Sequence, residues 1–250
     1  MRTPPCDLTS KQVETPCLTQ RHDPTVCAND MRGAAEPLPP TPRLARRIVI
    51  VNADPATENS AMTILLADFV DALNAYARFD ADPTDGLPGI IPEVKVITWN
   101  RSDAFDPKLL SGFDTMVLGY HLHSDSLPSH LTDLLDALLA DGTLASGTRL
   151  YAIASLESRE PQRARISFDA LSNSCLHAGL TWRGGLAVGD SGMVRAAVRS
   201  PRMGYLRRPV SEAIDRLILA VRCGTDAGVI EARQPLPRLV CELVANTHRH

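Results

Sequence analysis

Glycine is scarce in this sequence: 15 residues in a chain of 250, fewer than the 19 prolines. The glycine-dense nucleotide fingerprints are missing with it. There is no G-x-x-x-x-G-K-[ST] loop and no G-x-G-x-x-G, which excludes the usual nucleoside triphosphatase and dinucleotide-binding readings. No G-x-S-x-G turn marks a hydrolase nucleophile. The six cysteines form no C-x-x-C pair and stand at no zinc-ligand spacing with histidine. Cys175 and His177 are two apart in a helical pattern, where side chains do not face each other, so they make no catalytic pair. No run of about 18 apolar residues exists, so no membrane helix is expected. The first residues, MRTPPCDLTSKQ, have no apolar core, so no secretory signal is expected. The net charge of −3 gives no basic excess for nucleic acid. The expectation is a cytoplasmic protein with reduced thiols.

What is present divides the chain. Eight prolines (Pro4, Pro5, Pro16, Pro24, Pro37, Pro39, Pro40 and Pro42) precede the first apolar run. Residues 1–43 are polar and aperiodic, and read as a disordered leader. Cys6, Cys17 and Cys27 fall within it and match no motif. Residues 44–250 read as one domain, since 44% hydrophobic and 22% charged content suits a globular protein. Strands are expected at 46–53, 93–98, 113–120, 148–155 and 180–188. Helices are expected at 61–77, 128–140, 161–178 and 211–222. Alternating strands and helices joined by short connections imply a parallel sheet covered on both faces. Five strands suggest an α/β three-layer, doubly wound sheet of order 2-1-3-4-5. Ligands then bind at the carboxyl ends of the strands, beside the switch between strands one and three.

The loop there reads Asn52-Ala53-Asp54-Pro55-Ala56-Thr57-Glu58-Asn59-Ser60 and opens a helix. A helix N-terminus offers free N–H groups to a phosphate, and Thr57, Asn59 and Ser60 add neutral donors. The same residues also suit an ordinary helix cap. Farther on, His121 and His123 alternate along an extended segment and share one side of it. With Asp125 they make an incomplete metal set, so no metal is expected and two polar histidines in a cleft are the reading. Trp99 and Tyr120 sit at strand ends, where an aromatic stacks on a planar ligand or closes the core. The arginine-rich run 195–208 is a solvated connection or a phosphate-attracting patch.

Thr57-Glu58-Asn59-Ser60 resembles the T-G-N-T/S phosphate loop of flavodoxin-like FMN proteins. Asp125-Ser126-Leu127-Pro128-Ser129-His130-Leu131 is similar to the D-S-L-P-S-H-L segment of a branch of NAD(P)H-dependent FMN reductases in that superfamily. Ala178-Gly179-Leu180-Thr181-Trp182-Arg183-Gly184-Gly185 resembles its A-G-L-x-W-x-G-G stretch, and Leu236-Pro237-Arg238 its terminal segment. The resemblance implies that Thr57, Asn59 and Ser60 contact the FMN phosphate. It implies that Tyr120, His121, Leu122, His123, Ser124 and Asp125 border the ring, with Ser155, Leu156, Glu157 and Ser158 as a third wall. It implies electron transfer from NAD(P)H through FMN to a small acceptor such as a quinone, and a homodimer, as relatives often form. Hydride transfer through a flavin needs no side-chain acid or base, so no catalytic residue is assigned.

The flavin loops are degenerate. Glu58 replaces the family's glycine, Asn52-Ala53-Asp54-Pro55 replaces an opening near G-S-P-R, and Ser155-Leu156-Glu157-Ser158 lacks the usual glycine–aromatic pair. The acids at 54, 58 and 157 motivate an alternative: a non-enzymatic binding or regulatory module of the same fold that has lost FMN.

Overall fold

The computed structural model describes residues 44–54, 60–80, 91–99, 105–141 and 145–235. The leader 1–43, the loop residues Pro55, Thr57, Glu58 and Asn59, and the Leu236-Pro237-Arg238 segment lie outside the described residues.

The core strand is β1 (Arg47–Asn52), an isoleucine–valine run in which only Arg47 is exposed. Burial on both faces is the signature of a central parallel strand. It pairs with β2 (Glu93–Thr98) on one side and β3 (Thr115–Leu122) on the other. The sheet continues through β4 (Arg149–Leu156), β5 (Thr181–Val188) and β6 (Val229–Ala232), every pairing parallel. The order β2-β1-β3-β4-β5-β6 is the expected doubly wound order with one strand added at the edge. The sixth strand corrects the expectation of five. It spans four residues, Val229, Ile230, Glu231 and Ala232, and is partly exposed, too short and too weakly alternating to be read from pattern.

Strand alternation sorts the core into two layers. Ile48, Ile50, Val117, Tyr151, Ile153, Leu186 and Val188 meet helix α1 (Ala61–Asp80) and helix α5 (Arg208–Cys223) on one face. Val49, Val51, Met116, Leu118, Tyr120, Ala152 and Ala154 meet α2 (Ser129–Asp141) and α3 (Arg165–Ala178) on the other. A short α4 (Ser191–Ala196) follows β5. The expected helix starting at Pro161 begins instead as a 3-10 turn over Pro161–Ala164 before α3. The six residues of α4 are too few to show helical periodicity, and the sequence pattern does not mark it.

Two glycines are required by close approach. A Cβ on Gly119 would stand 2.8 Å from Leu66 and Met62, so its absence lets α1 lie against β3. Gly184 has φ +95° and sits 2.2 Å, measured from an added Cβ, from the Gly228 carbonyl. The register between β4 and β5 slips at this point, from Leu150 opposite Trp182 to Ala152 opposite Gly185.

Candidate functional site

The carboxyl edges of β1, β3 and β4 converge beside the strand-order switch. At the end of β1, buried Asn52 accepts the Asp54 N–H through Oδ1 at 3.1 Å. Asp54 is itself buried. Ser60 begins α1: its Oγ accepts the Thr63 N–H at 3.1 Å, an N-cap bond. That same oxygen lies 3.1 Å from Thr63 Oγ1. Ser60 therefore shapes the helix start on its own account.

On the next strands, His121 and Ser155 are register partners. His121 Nδ1 lies 2.8 Å from Ser155 Oγ. The His121 and His123 rings meet edge to face, with centroids 4.6 Å apart and planes at 74°. Burial pushes the His121 pKa below the ordinary imidazole value, and the neighbouring His123 and the Arg195 guanidinium push the same way. Asp54 and Glu157 oppose them without prevailing. His121 and Ser155 thus stand on adjacent strands, with Asp54 and Glu157 just beyond strand ends, but Ser155 is fully buried. No substrate carbonyl reaches its hydroxyl, so it serves to orient the imidazole.

A cleft of about 410 Å³ opens above this layer, lined by Leu122, His123, Ser124, Asp125, Leu156, Glu157, Ser158 and Arg163. Its volume suits a small organic ligand. Two ties hold its walls. Arg163 Nε and Nη2 donate to the two Asp125 carboxylate oxygens at 2.7 and 3.1 Å, joining the loop after β3 to the 3-10 turn. Ser158 is held from β5, because its carbonyl accepts the Asp190 N–H at 2.9 Å. Asp190 reaches this position with φ 66°, in the left-handed region, and its Oδ2 lies 3.6 Å from Arg159 Nε. A non-glycine residue there is uncommon, which makes the tie to Ser158 a feature the fold maintains against backbone strain.

Seven of the eight lining residues are ones the resemblance assigned to the ring. Leu122 and Leu156 supply an apolar floor, and His123, Ser124, Asp125, Glu157 and Ser158 a polar rim. His121 stands behind His123, and Ser155 behind His121. Tyr120 is a correction: its side chain is fully buried in the α2–α3 layer, with its hydroxyl 2.9 Å from Ser167 Oγ. Burial raises its pKa far above the usual tyrosine value, although Ser167 opposes this. It faces the core because it shares the parity of Leu118 and Leu122 on β3. Thr57 and Asn59 lie outside the described residues.

Trp99 is buried against Phe105 and His130, so it closes the core. His130 Nε2 lies 2.9 Å from the Ala53 carbonyl and ties α2 to the end of β1. Trp182 is partly buried beside Phe168. Arg163 is a cleft residue the sequence reading missed. Its acid partner is 38 positions away, and only the adjacency of the loops after β3 and β4 brings them together. Among the described residues, no group of three or more His, Cys, Asp or Glu is arranged to hold a metal ion. Among them, no helix is long and apolar enough to cross a membrane.

No protein-family model matches the sequence, and no curated protein matches it either. Solved structures with a similar arrangement include a flavodoxin from the domain Archaea, 12% identical, covering 82% of this chain and 99% of that one, with a TM-score of 0.37. Flavodoxin 1 from Bacillus cereus is 13% identical over 82% of this chain and 95% of that one, with a TM-score of 0.38. An NADPH-quinone reductase from P. pentosaceus is 14% identical over 71% of this chain and 95% of that one, with a TM-score of 0.42. The fold assignment stands on the strand order and the two-sided helix packing.

Proposed function

We propose that the cleft holds FMN and that the protein is a cytoplasmic oxidoreductase, carrying electrons from NAD(P)H to a small-molecule acceptor such as a quinone, without nucleic acid or membrane as partner and with a homodimer as its assembly. The supporting observation is the cleft itself: about 410 Å³ at the carboxyl edge, walled by the loops after β3 and β4. This is where ligands of doubly wound sheets sit.

The residues fit a flat heterocycle with one polar edge. Leu122 and Leu156 offer apolar surface, and the hydroxyls of Ser124 and Ser158 and the ring of His123 offer hydrogen bonds. Asp125 is paired with Arg163 and adds no bare negative charge to the wall. Thr57, Asn59 and Ser60 would hold the phosphate. Bound FMN supplies the hydride-accepting chemistry, and the protein supplies orientation and access. The arginine-rich segment 195–208 would attract the phosphates of the nicotinamide donor.

The alternative, a binding or regulatory module without flavin, draws on Asp54 and Glu157, both close enough to His121 to influence its charge. Anaerobic addition of NADH or NADPH to the FMN-loaded protein, followed by a quinone, separates the two. Bleaching of the bound flavin and its reoxidation by quinone support the oxidoreductase. Flavin that stays oxidised under excess of either nucleotide overturns that role.

A further inference from the structure

Neither Ser155 nor His121 lines the cleft, yet a line of contacts runs from the first through the second to its rim. Ser155 is fully buried on β4, opposite His121 on β3, and its Oγ lies 2.8 Å from His121 Nδ1. His121 is half-buried. Alternation along the extended chain puts His121 and His123 on the same side, and their rings meet edge to face with centroids 4.6 Å apart. His123 is exposed and lines the cleft.

Other polar residues of the rim have bonds of their own. Ser124 Oγ lies 3.1 Å from Ser126 Oγ, Asp125 pairs with Arg163, and Ser158 Oγ accepts the Glu160 N–H at 3.2 Å. Among the described residues, the His123 imidazole makes no hydrogen bond and no ion pair, and its one ring contact is His121. An exposed side chain without an anchor exchanges rotamers within nanoseconds. The orientation of His123 therefore depends on His121, and that of His121 on the Ser155 hydroxyl, whichever of the two donates.

We propose that Ser155 and His121 are positioning residues that hold His123 in one rotamer at the cleft rim, and so set the affinity for a planar heterocycle that neither of them touches. The inference rests on the flavin reading, which supplies the ligand for its test. A side chain already fixed in its binding orientation loses less freedom when the ligand arrives, and that difference reaches about threefold to tenfold in affinity for one immobilised side chain. Without the Ser155 hydroxyl, His121 Nδ1 is left without its partner, the ring turns toward water, and His123 loses its support.

The test is a double-mutant cycle on the full chain, read by FMN fluorescence, with wild type, Ser155→Ala, His123→Ala and the double variant. The expected result is that Ser155→Ala weakens FMN binding about threefold to tenfold in the wild-type background and has no further effect once His123 is alanine. The same loss in both backgrounds, or no loss in either, overturns the inference and leaves the flavin reading standing. A serine that only supports the fold would lower the melting temperature without this dependence on His123. In parallel, NMR of the unliganded protein follows the His123 side-chain couplings and the ring-to-ring contact with His121. A single His123 rotamer in the wild type that becomes averaged in Ser155→Ala upholds the inference, and couplings that are the same in both proteins overturn it. If FMN does not bind the wild type, the flavin reading fails and the NMR arm decides the positioning alone. If Ser155→Ala does not fold, His121→Asn, which keeps a hydrogen-bonding partner for Ser155 and removes the ring, takes its place in both arms with the same outcomes.

Discussion

Asp125 and Arg163 form a two-pronged ion pair that bridges the loop after β3 and the 3-10 turn after β4, with contacts of 2.7 and 3.1 Å. Both residues line the same cleft. The pair spans the opening between the two walls and neutralises an acid that would otherwise face a ligand. Its ends are exposed to solvent, so its value lies in geometry, and exposed pairs add little to global stability. Arg163→Ala should weaken flavin binding several-fold while leaving the melting temperature essentially unchanged. Parallel binding and thermal melts check this. A large melting shift with unchanged affinity would assign the pair to the fold alone.

Glu157 lines the cleft and bears on His121 electrostatically. Glu157→Gln removes a negative charge at constant shape. FMN affinity should rise by a few-fold, and riboflavin affinity should change less. Equal changes for the two ligands would show that shape, not charge, dominates at this wall.

Tyr120 distinguishes a core residue from a site residue. Tyr120→Phe removes the bond to Ser167, whose hydroxyl still donates to the Ala164 carbonyl at 2.8 Å. The cost should be about 1 kcal/mol of unfolding free energy. Ligand affinity should not move. Denaturant melts and a flavin titration of the same variant test both halves.

These outcomes follow the division between what sequence patterns carry and what they do not. The layered sheet was legible because β1, β3 and β4 are near-continuous apolar runs and α1 and α2 carry broad apolar stripes. The strand β6 and the helix α4 were not, because four and six residues cannot display a period. The segments 122–125 and 156–158 that the resemblance names are the ones that line the cleft. The parity of Tyr120 was available too: it shares a face with Leu118 and Leu122, and that alternation places it inward. The Arg163 and Asp190 ties were not legible, since each joins segments distant in sequence.

At the opposite edge of the sheet, Asp114 accepts the Arg46 N–H at 2.8 Å and pairs with Arg149 at 2.9 Å. Burial raises its pKa, but bonds from Thr115 and the Arg46 and Arg47 N–H groups, with the Arg149 charge, prevail and bring it below 3.8. A depressed carboxylate contributes stability that is fully present above its unfolded value and is lost as pH falls through its folded value. Asp114→Asn should therefore destabilise the protein at neutral pH, with the deficit shrinking in acid below about pH 4. Denaturant melts of both proteins across that range measure it. A deficit constant in pH would mean that shape, not charge, holds this edge.

FMN binding in the cleft between residues 122–125 and 156–158 is what the oxidoreductase proposal requires first. The most direct measurement is an equilibrium titration of the full-length, flavin-free protein with FMN at neutral pH, followed by fluorescence quenching. Saturable one-to-one binding in the micromolar range or tighter, weakened by Arg163→Ala, is the predicted result. Fluorescence that shows no saturable change up to high micromolar FMN would contradict flavin binding and leave the flavin-free module as the reading for this protein.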